Sequence, residues 1–447
     1  MRNSDGLVPD DSPWSEALYR ACRSALHEQS FAAGLSMAVT GRDGILVSGA
    51  FGHADLAAAR PATEDTLFQI GSISKGMTAA LLLRARDAGL VDLDRPVTEY
   101  LPWFSVRSAH APITLRHLMS HTAGIIEGTD FSGDSAFEVW ALRDTEATTP
   151  PGTWFHYSNV GYKALGLVLE AVHRRPYQEL LGDFLAELGM SASAPAITHE
   201  VRARSAVGYE PRYDDRVPVL EDGLVPATWI ETATADGSVV STARDMTAWL
   251  RFLMSGGSLA RDLCTPEIQV EGEDCSYGLG VLMSEFDGRP HVWHTGGMIG
   301  YYAAIACDVD AGIGAVVLAN GTGPWQETAV HLVAATRGGE PEFVVAERKR
   351  PAPPAPDDPP ARWAEVVGHY RCHNPWLSNV HVYAHDDRLW VSVAGGPPDE
   401  LVPQPDGTFR VGTDERLPER LRFDTVLNGV AVRADYSGCS LYRTFTP

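Results

Sequence analysis

The sequence predicts an α+β protein: an antiparallel sheet flanked by helices, an inserted mainly α subdomain, and a small C-terminal antiparallel β-barrel. Three observations carry this expectation. Strand and helix patterns open and close the first large unit, helical pieces broken by Gly/Pro/Ser/Thr loops fill its middle, and evenly spaced alternating segments follow a Pro-rich stretch near the end. The expected boundaries are a first unit over 1–345 with its helical subdomain at about 91–253, a linker over 346–361 and a barrel over 362–447.

Taken in order, Trp14–His27 has the apolar spacing of an amphipathic helix. Leu35–Thr40 and Ile45–Phe51 alternate as two strands around Gly41-Arg42-Asp43-Gly44, a hairpin turn signal. In Leu67–Leu83, LFQIGSISKGMTAALLL, a short apolar strand breaks at Gly71 and a helix starts at Ser72, ending near Gly89 as its C′ residue. From Tyr277 the period returns to strands, at Tyr277–Met283, Val292–His294, Tyr301–Cys307 and Ile313–Leu318, followed by a helix at Gln326–Ala335. The stretch ERKRPAPPAPDDPPA is Pro-rich and reads as extended. Beyond it, Val380–Tyr383, Arg388–Val393, Leu401–Pro403, Thr408–Val411, Arg420–Phe423, Gly429–Ala434 and Ser440–Phe445 read as short strands separated by Gly, Asp or Pro turns.

Composition narrows the function classes. A formal net charge of −22 over 447 residues opposes binding to nucleic acid or an anionic membrane surface. The amino terminus, MRNSDGLVPDDSPW, has no apolar core of signal-peptide length, and no later run is long enough to span a bilayer. The expected location is the cytoplasm. The six cysteines form no Cys-x-x-Cys pair and read as reduced packing residues.

Chemistry concentrates at Ser72 and Lys75, a Ser-x-x-Lys pair on one side of a first helical turn. A serine hydroxyl needs a neighbouring base, and a lysine serves as one when desolvation or positive neighbours lower its pKa. Free N–H groups at the helix start favour negative charge there. Tyr157 and Asn159, in the loop segment PGTWFHYSNVGY, supply a hydroxyl able to relay a proton and an amide able to hold lysine and substrate in register. At His294-Thr295-Gly296-Gly297 the glycines let a substrate backbone lie against a strand edge, and the Gly297 N–H pairs with that of Ser72 as an oxyanion hole. The stretch LMSHTAGI suggests a helix end and turn and no chemistry.

In this order and spacing, Ser-x-x-Lys, Tyr-x-Asn and His-Thr-Gly resemble the three motifs of the penicillin-recognising serine enzymes. Those include serine β-lactamases, D,D-carboxypeptidases, D-stereospecific aminopeptidases, esterases and penicillin-binding-protein-type thioesterases. The words LFQIGSISK, LMSHTAGI, PGTWFHYSNVGY, ADGSVVSTARDM and HTGGMIGY extend the resemblance over about residues 15–340. His294, where other branches carry lysine, is similar to the class C β-lactamase-like, esterase and aminopeptidase branch. The resemblance implies that Ser72 attacks a carbonyl, that Lys75 and Tyr157 share base and acid work, and that Asn159, His294 and Thr295 place the substrate. It implies no metal or organic cofactor. Its C-terminal partner is expected to be a lipocalin-like barrel.

The substrate is narrowed further by two stretches. In ATWIETATADG, Glu231 can hold a substrate ammonium, and Trp229 can pack or serve as a recognition platform. In LYRTF, Arg443 can face a substrate carbonyl or carboxylate. The favoured expectation is a stand-alone thioesterase that releases a nonribosomal peptide with a D-configured C-terminal residue from a carrier protein and closes it head to tail. The alternatives are a D-stereospecific aminopeptidase, amidase or esterase, and a non-catalytic acyl-binding protein. The partners expected are a peptide or small ester, amide or thioester, and neither nucleic acid nor membrane.

Overall fold

Residues 13–128, 134–214, 216, 218–338, 356–377, 379–393 and 396–444 are described by the structure, a computed structural model. The first part of the expected linker, through residue 355, lies outside them, as does Phe445 at the end of the last expected strand. The described residues form two compact units: the first draws on Met1–Arg95, Leu165–Glu210 and Leu224–Ala346, the second on Pro96–Ala164, Pro211–Gly223 and Glu347–Pro447.

The first unit is built on a nine-stranded sheet. Its long strands are Phe31–Thr40, Ile45–Asp55, Arg289–Met298, Tyr301–Asp308 and Ile313–Thr322, paired antiparallel. Phe31–Thr40 lies between Ile45–Asp55 and Ile313–Thr322, with Met37 opposite Val317 and Val39 opposite Ala315. Thus residues nearly 280 positions apart in sequence share one ladder, which is why the sheet is seen at both ends of the sequence pattern. Leu35, Met37 and Val39 alternate onto one face and pack with Leu18, Cys22 and Leu26 of the helix Pro13–Gln29 and with Trp325, Leu332 and Val333 of the helix Trp325–Thr336.

The helix Ser74–Asp87 is buried on nearly every side: Met77, Ala79, Ala80, Leu82 and Leu83 are all inaccessible. That matches its all-round apolar sequence. It ends as the sequence predicts, in a Schellman motif: Gly89, at φ +72°, donates to the Arg86 carbonyl and Leu90 to that of Ala85, both at 2.9 Å. Its start differs. A 3₁₀ turn at Gly71–Ile73 carries Ser72, and the α-helix begins at Ser74.

The expected strand Tyr277–Met283 is two strands, Cys275–Tyr277 and Leu282–Phe286. Between them the Gly278 N–H bonds the Val281 carbonyl, and Gly280 adopts φ +85°. A Cβ on Gly280 would stand 2.8 Å from the Lys75 carbonyl oxygen, so the break lets the chain press against the helix that carries Lys75.

In the second unit the C-terminal strands close into an eight-stranded antiparallel barrel. Gly368–Arg371, too short to announce itself in sequence, pairs with both Asn379–His385 and Cys439–Thr444 and completes the ring. Tyr370, Val380, Val382, Leu389, Val391, Leu401, Leu421 and Leu441 fill the interior by alternation. The rest of the unit includes the helix Leu115–Met119 and the first turns of Asn159–His173. All six cysteines are free, and four are buried.

Candidate active site

The strand Phe68–Gln69 pairs with Val240–Ser241 and delivers the chain to Gly71, at φ +51°. No larger residue fits that turn: a Cβ on Gly71 would lie 2.6 Å from the Gly297 oxygen and 2.7 Å from the Gly297 nitrogen. The constraint is mutual, since a Cβ on Gly296 would lie 1.8 Å from the Ile70 oxygen. Strand Arg289–Met298 therefore runs in backbone contact with the turn that presents Ser72.

Lys75 is completely buried, yet its Nζ donates to Ser72 Oγ at 2.9 Å and to the Asp236 carbonyl at 2.7 Å. The same wall is stitched by Thr78, whose hydroxyl donates to the Ala235 carbonyl and meets the Tyr177 hydroxyl, both at 2.7 Å. This sets a buried amine within hydrogen-bond distance of a serine hydroxyl, the spacing at which a lysine in its uncharged form can act as a base.

His294 is buried on the same strand, while Thr295 points the other way and is exposed. Its Nδ1 lies 2.5 Å from the Thr295 carbonyl. A carbonyl only accepts, so Nδ1 carries the proton, and Nε2 accepts from the Tyr277 hydroxyl at 3.3 Å. Burial, joined by the charge of Lys75 and opposed by the Thr295 bond, pushes the ring down to about 4. At neutral pH it is a fixed neutral imidazole.

Tyr157 and Asn159 belong to the second unit. There Tyr157 stacks on His121 with ring centroids 4.1 Å apart. His121, at φ +56°, also accepts the Ser158 N–H on Nδ1 at 2.9 Å and the His156 N–H on its carbonyl at 2.8 Å. One residue thus holds the tyrosine ring and the backbone on both sides of it. The Glu127 carbonyl accepts from Asn159 at 2.7 Å and Val160 at 3.1 Å, seating the helix start. His121 lies in LMSHTAGI, whose spacing to PGTWFHYSNVGY carries no signal of this contact. Glu419, 2.9 Å from His156 Nε2, lies still farther away in sequence.

The remaining candidates have these surroundings. Trp229 packs against Leu67, Ile197 and Val240, with Arg202 over its ring, so it is built into the fold of the first unit. Glu231 is 54% exposed and stands 3.9 Å from the His199 ring. Arg443 bonds the carbonyls of Glu365, Ala431 and Val367 and lies over the Tyr370 ring, as a strut of the barrel.

The first unit thus sets a buried lysine on a serine hydroxyl, backed by a glycine-bearing antiparallel strand with a neutral histidine, an arrangement suited to a serine hydrolase. The comparisons agree. The Beta-lactamase family model matches residues 22–337. Penicillin-binding protein 4 of Amycolatopsis lactamdurans is 28% identical over 335 residues, 69% of this chain and 86% of that protein. A D-aminopeptidase of Cereibacter sphaeroides (strain ATCC 17029 / ATH 2.4.9) is 28% identical over 324 residues, 67% of this chain and 59% of that protein. Among solved structures, the octameric penicillin-binding protein homologue from Pyrococcus abyssi aligns with a TM-score of 0.67 at 22% identity, covering 97% of this chain and all of that one. SurE with D-Leu aligns at 0.59 and 22%, covering 96% and 98%. The chain belongs to the β-lactamase and penicillin-binding-protein-like superfamily of serine hydrolases.

Proposed function

We propose that Ser72 forms an acyl-enzyme with an amide, ester or thioester substrate, Lys75 in its uncharged form taking the hydroxyl proton and Tyr157 passing a proton to the leaving group. The observation that carries this reading is the fully buried Lys75 with its Nζ 2.9 Å from Ser72 Oγ. The N–H groups of Ser72 and Gly297 receive the oxyanion, supported by the close packing of Gly297 on Gly71. Asn159 positions Lys75 and the substrate amide. Gly296 and the exposed Thr295 form the edge along which the substrate lies, and neutral His294 holds that edge through its bonds to Thr295 and Tyr277.

The acyl group proposed is a peptide ending in a D-residue, taken from a carrier-protein thioester and closed head to tail by its own amine. Support comes from SurE with D-Leu, which aligns along nearly the whole chain, barrel included. The D-aminopeptidase relatives support the same handedness with water as acceptor, and so a second reading as a D-aminopeptidase, amidase or esterase. Glu231 and Arg443 have no role in the proposal: the first is at the surface, and the second is spent on barrel carbonyls.

The test is intact-mass analysis with a synthetic peptidyl thioester bearing a D-residue at its C-terminus and a free amine, beside Ser72→Ala. The expected result is a transient adduct, absent from the variant, and a product lighter by the thiol with no water added. A linear acid alone selects the hydrolase reading. No adduct with thioester, amide or nitrophenyl ester removes the acyl-enzyme assignment.

A further inference from the structure

We propose that Glu419, on a loop of the C-terminal barrel, and His156 are positioning residues that hold the Tyr157–Asn159 segment in its working geometry. The inference rests on the acyl-enzyme reading above and adds residues that neither the motifs nor the family match assign; Glu419 lies beyond the matched region.

The loop 412–419 joins the strands Phe409–Val411 and Arg420–Leu427, and its base is closed by the Val411 N–H on the Glu419 carbonyl at 3.2 Å. One carboxylate oxygen of Glu419 then accepts twice, from His156 Nε2 and from the Glu127 N–H, each at 2.9 Å. Both side chains of the pair are largely buried, 14% exposed for His156 and 12% for Glu419. These two contacts bracket the motif. His156 immediately precedes Tyr157 and donates its N–H to His121, the residue on which Tyr157 stacks; Glu127 carries the carbonyl that seats Asn159. A single oxygen thus fixes both ends of the segment.

Further contacts reinforce the loop. Arg416 lies over the Trp154 ring at 4.6 Å, Trp154 stacks on His156 at 5.3 Å, and the Thr148 hydroxyl donates to the Arg416 carbonyl. Burial opposes charge on both members of the pair. Their mutual hydrogen bond nevertheless holds His156 above its ordinary value and Glu419 below its own. A buried carboxylate accepting a charge-assisted bond and a backbone N–H is a stiff tether, and small displacements of a catalytic group cost large factors in rate.

A double-mutant cycle on the full chain tests this, reading the first-order p-nitrophenolate burst with p-nitrophenyl butyrate and the Ser72 adduct by intact mass. Glu419→Ala is expected to slow acylation at least about tenfold with KM little changed, yet to lose less than about threefold when Tyr157 is already Phe. A structural weakening unconnected with Tyr157 would lower both backgrounds by the same factor, and that result overturns the proposal, as does a wild-type rate for Glu419→Ala. If Glu419→Ala does not fold, as judged by its melting transition, Glu419→Gln takes its place. It keeps the volume and an acceptor for Glu127 but loses the charge, with an expected loss of about threefold that again vanishes beside Tyr157→Phe. Failure of the underlying reading is separately visible: no burst from the unaltered chain, a burst that survives Ser72→Ala, or a wild-type rate for Tyr157→Phe overturns the catalytic roles themselves.

Discussion

At His294 burial and the neighbouring Lys75 act in one direction, and the result is a pH dependence of stability. The unfolded ring takes a proton near 6.5 and the folded ring only near 4, so the unfolded chain binds more protons between those values. The penalty is absent above the unfolded value, grows as pH falls, and is complete below the folded one. It is expected to reach about 2 kcal/mol near pH 5. Melting curves of wild type and His294→Asn at about pH 7 and about pH 5 check this, the variant losing less stability on acidification. The sequence marked His294 by its place in His-Thr-Gly-Gly. Its neutral state was not legible there, because it depends on enclosure and on a lysine more than two hundred residues away. The same holds for His121, whose role rests on a stacking contact with Tyr157 that no local pattern encodes.

Among elements, the turn before Ser72 and the strand behind it are the least tolerant of change. Gly296→Ala places a Cβ against the Ile70 carbonyl with no flexible side chain to give way, and is expected to cost more than about 3 kcal/mol and to abolish Ser72 acylation. Gly89→Ala is the control. Its φ is also positive, but the added Cβ meets open space, so the cost is expected to be about 1 kcal/mol with acylation unchanged. Denaturant unfolding and the burst assay together separate the two. Most elements were readable because their periodicity reflects one-sided burial, as in Leu35, Met37 and Val39. The expected strand Tyr277–Met283 was misread because alternation continues through Gly278 and Gly280, while the fold turns there, with Gly278 against the Leu263 carbonyl and Gly280 against Lys75 and Gly76.

For the whole molecule, the chain passes between its two units five times, so neither is a contiguous piece of sequence. The second unit joins the barrel to the segment carrying Tyr157 and Asn159. A chain ending before Gly368 keeps every residue matched by the family model but loses Glu419. It is expected to acylate at least about tenfold more slowly than the full chain in the same burst assay. Among the described residues no helix is long and apolar enough to cross a membrane.

What the sequence determined by itself was what local chemistry encodes. It supplied the alternation that builds sheet and barrel, the Gly89 helix end, and the Ser72, Lys75, Tyr157, Asn159 and His294 motifs with their order. What only the tertiary structure decided was which distant groups meet. Closure of the barrel by Gly368–Arg371, the floor that His121 makes for Tyr157, and the grip of Glu419 on His156 and Glu127 join residues tens to hundreds of positions apart. Such contacts follow from packing of the assembled chain, because burial and hydrogen bonding act through space, and periodicity reports only on neighbours along the backbone.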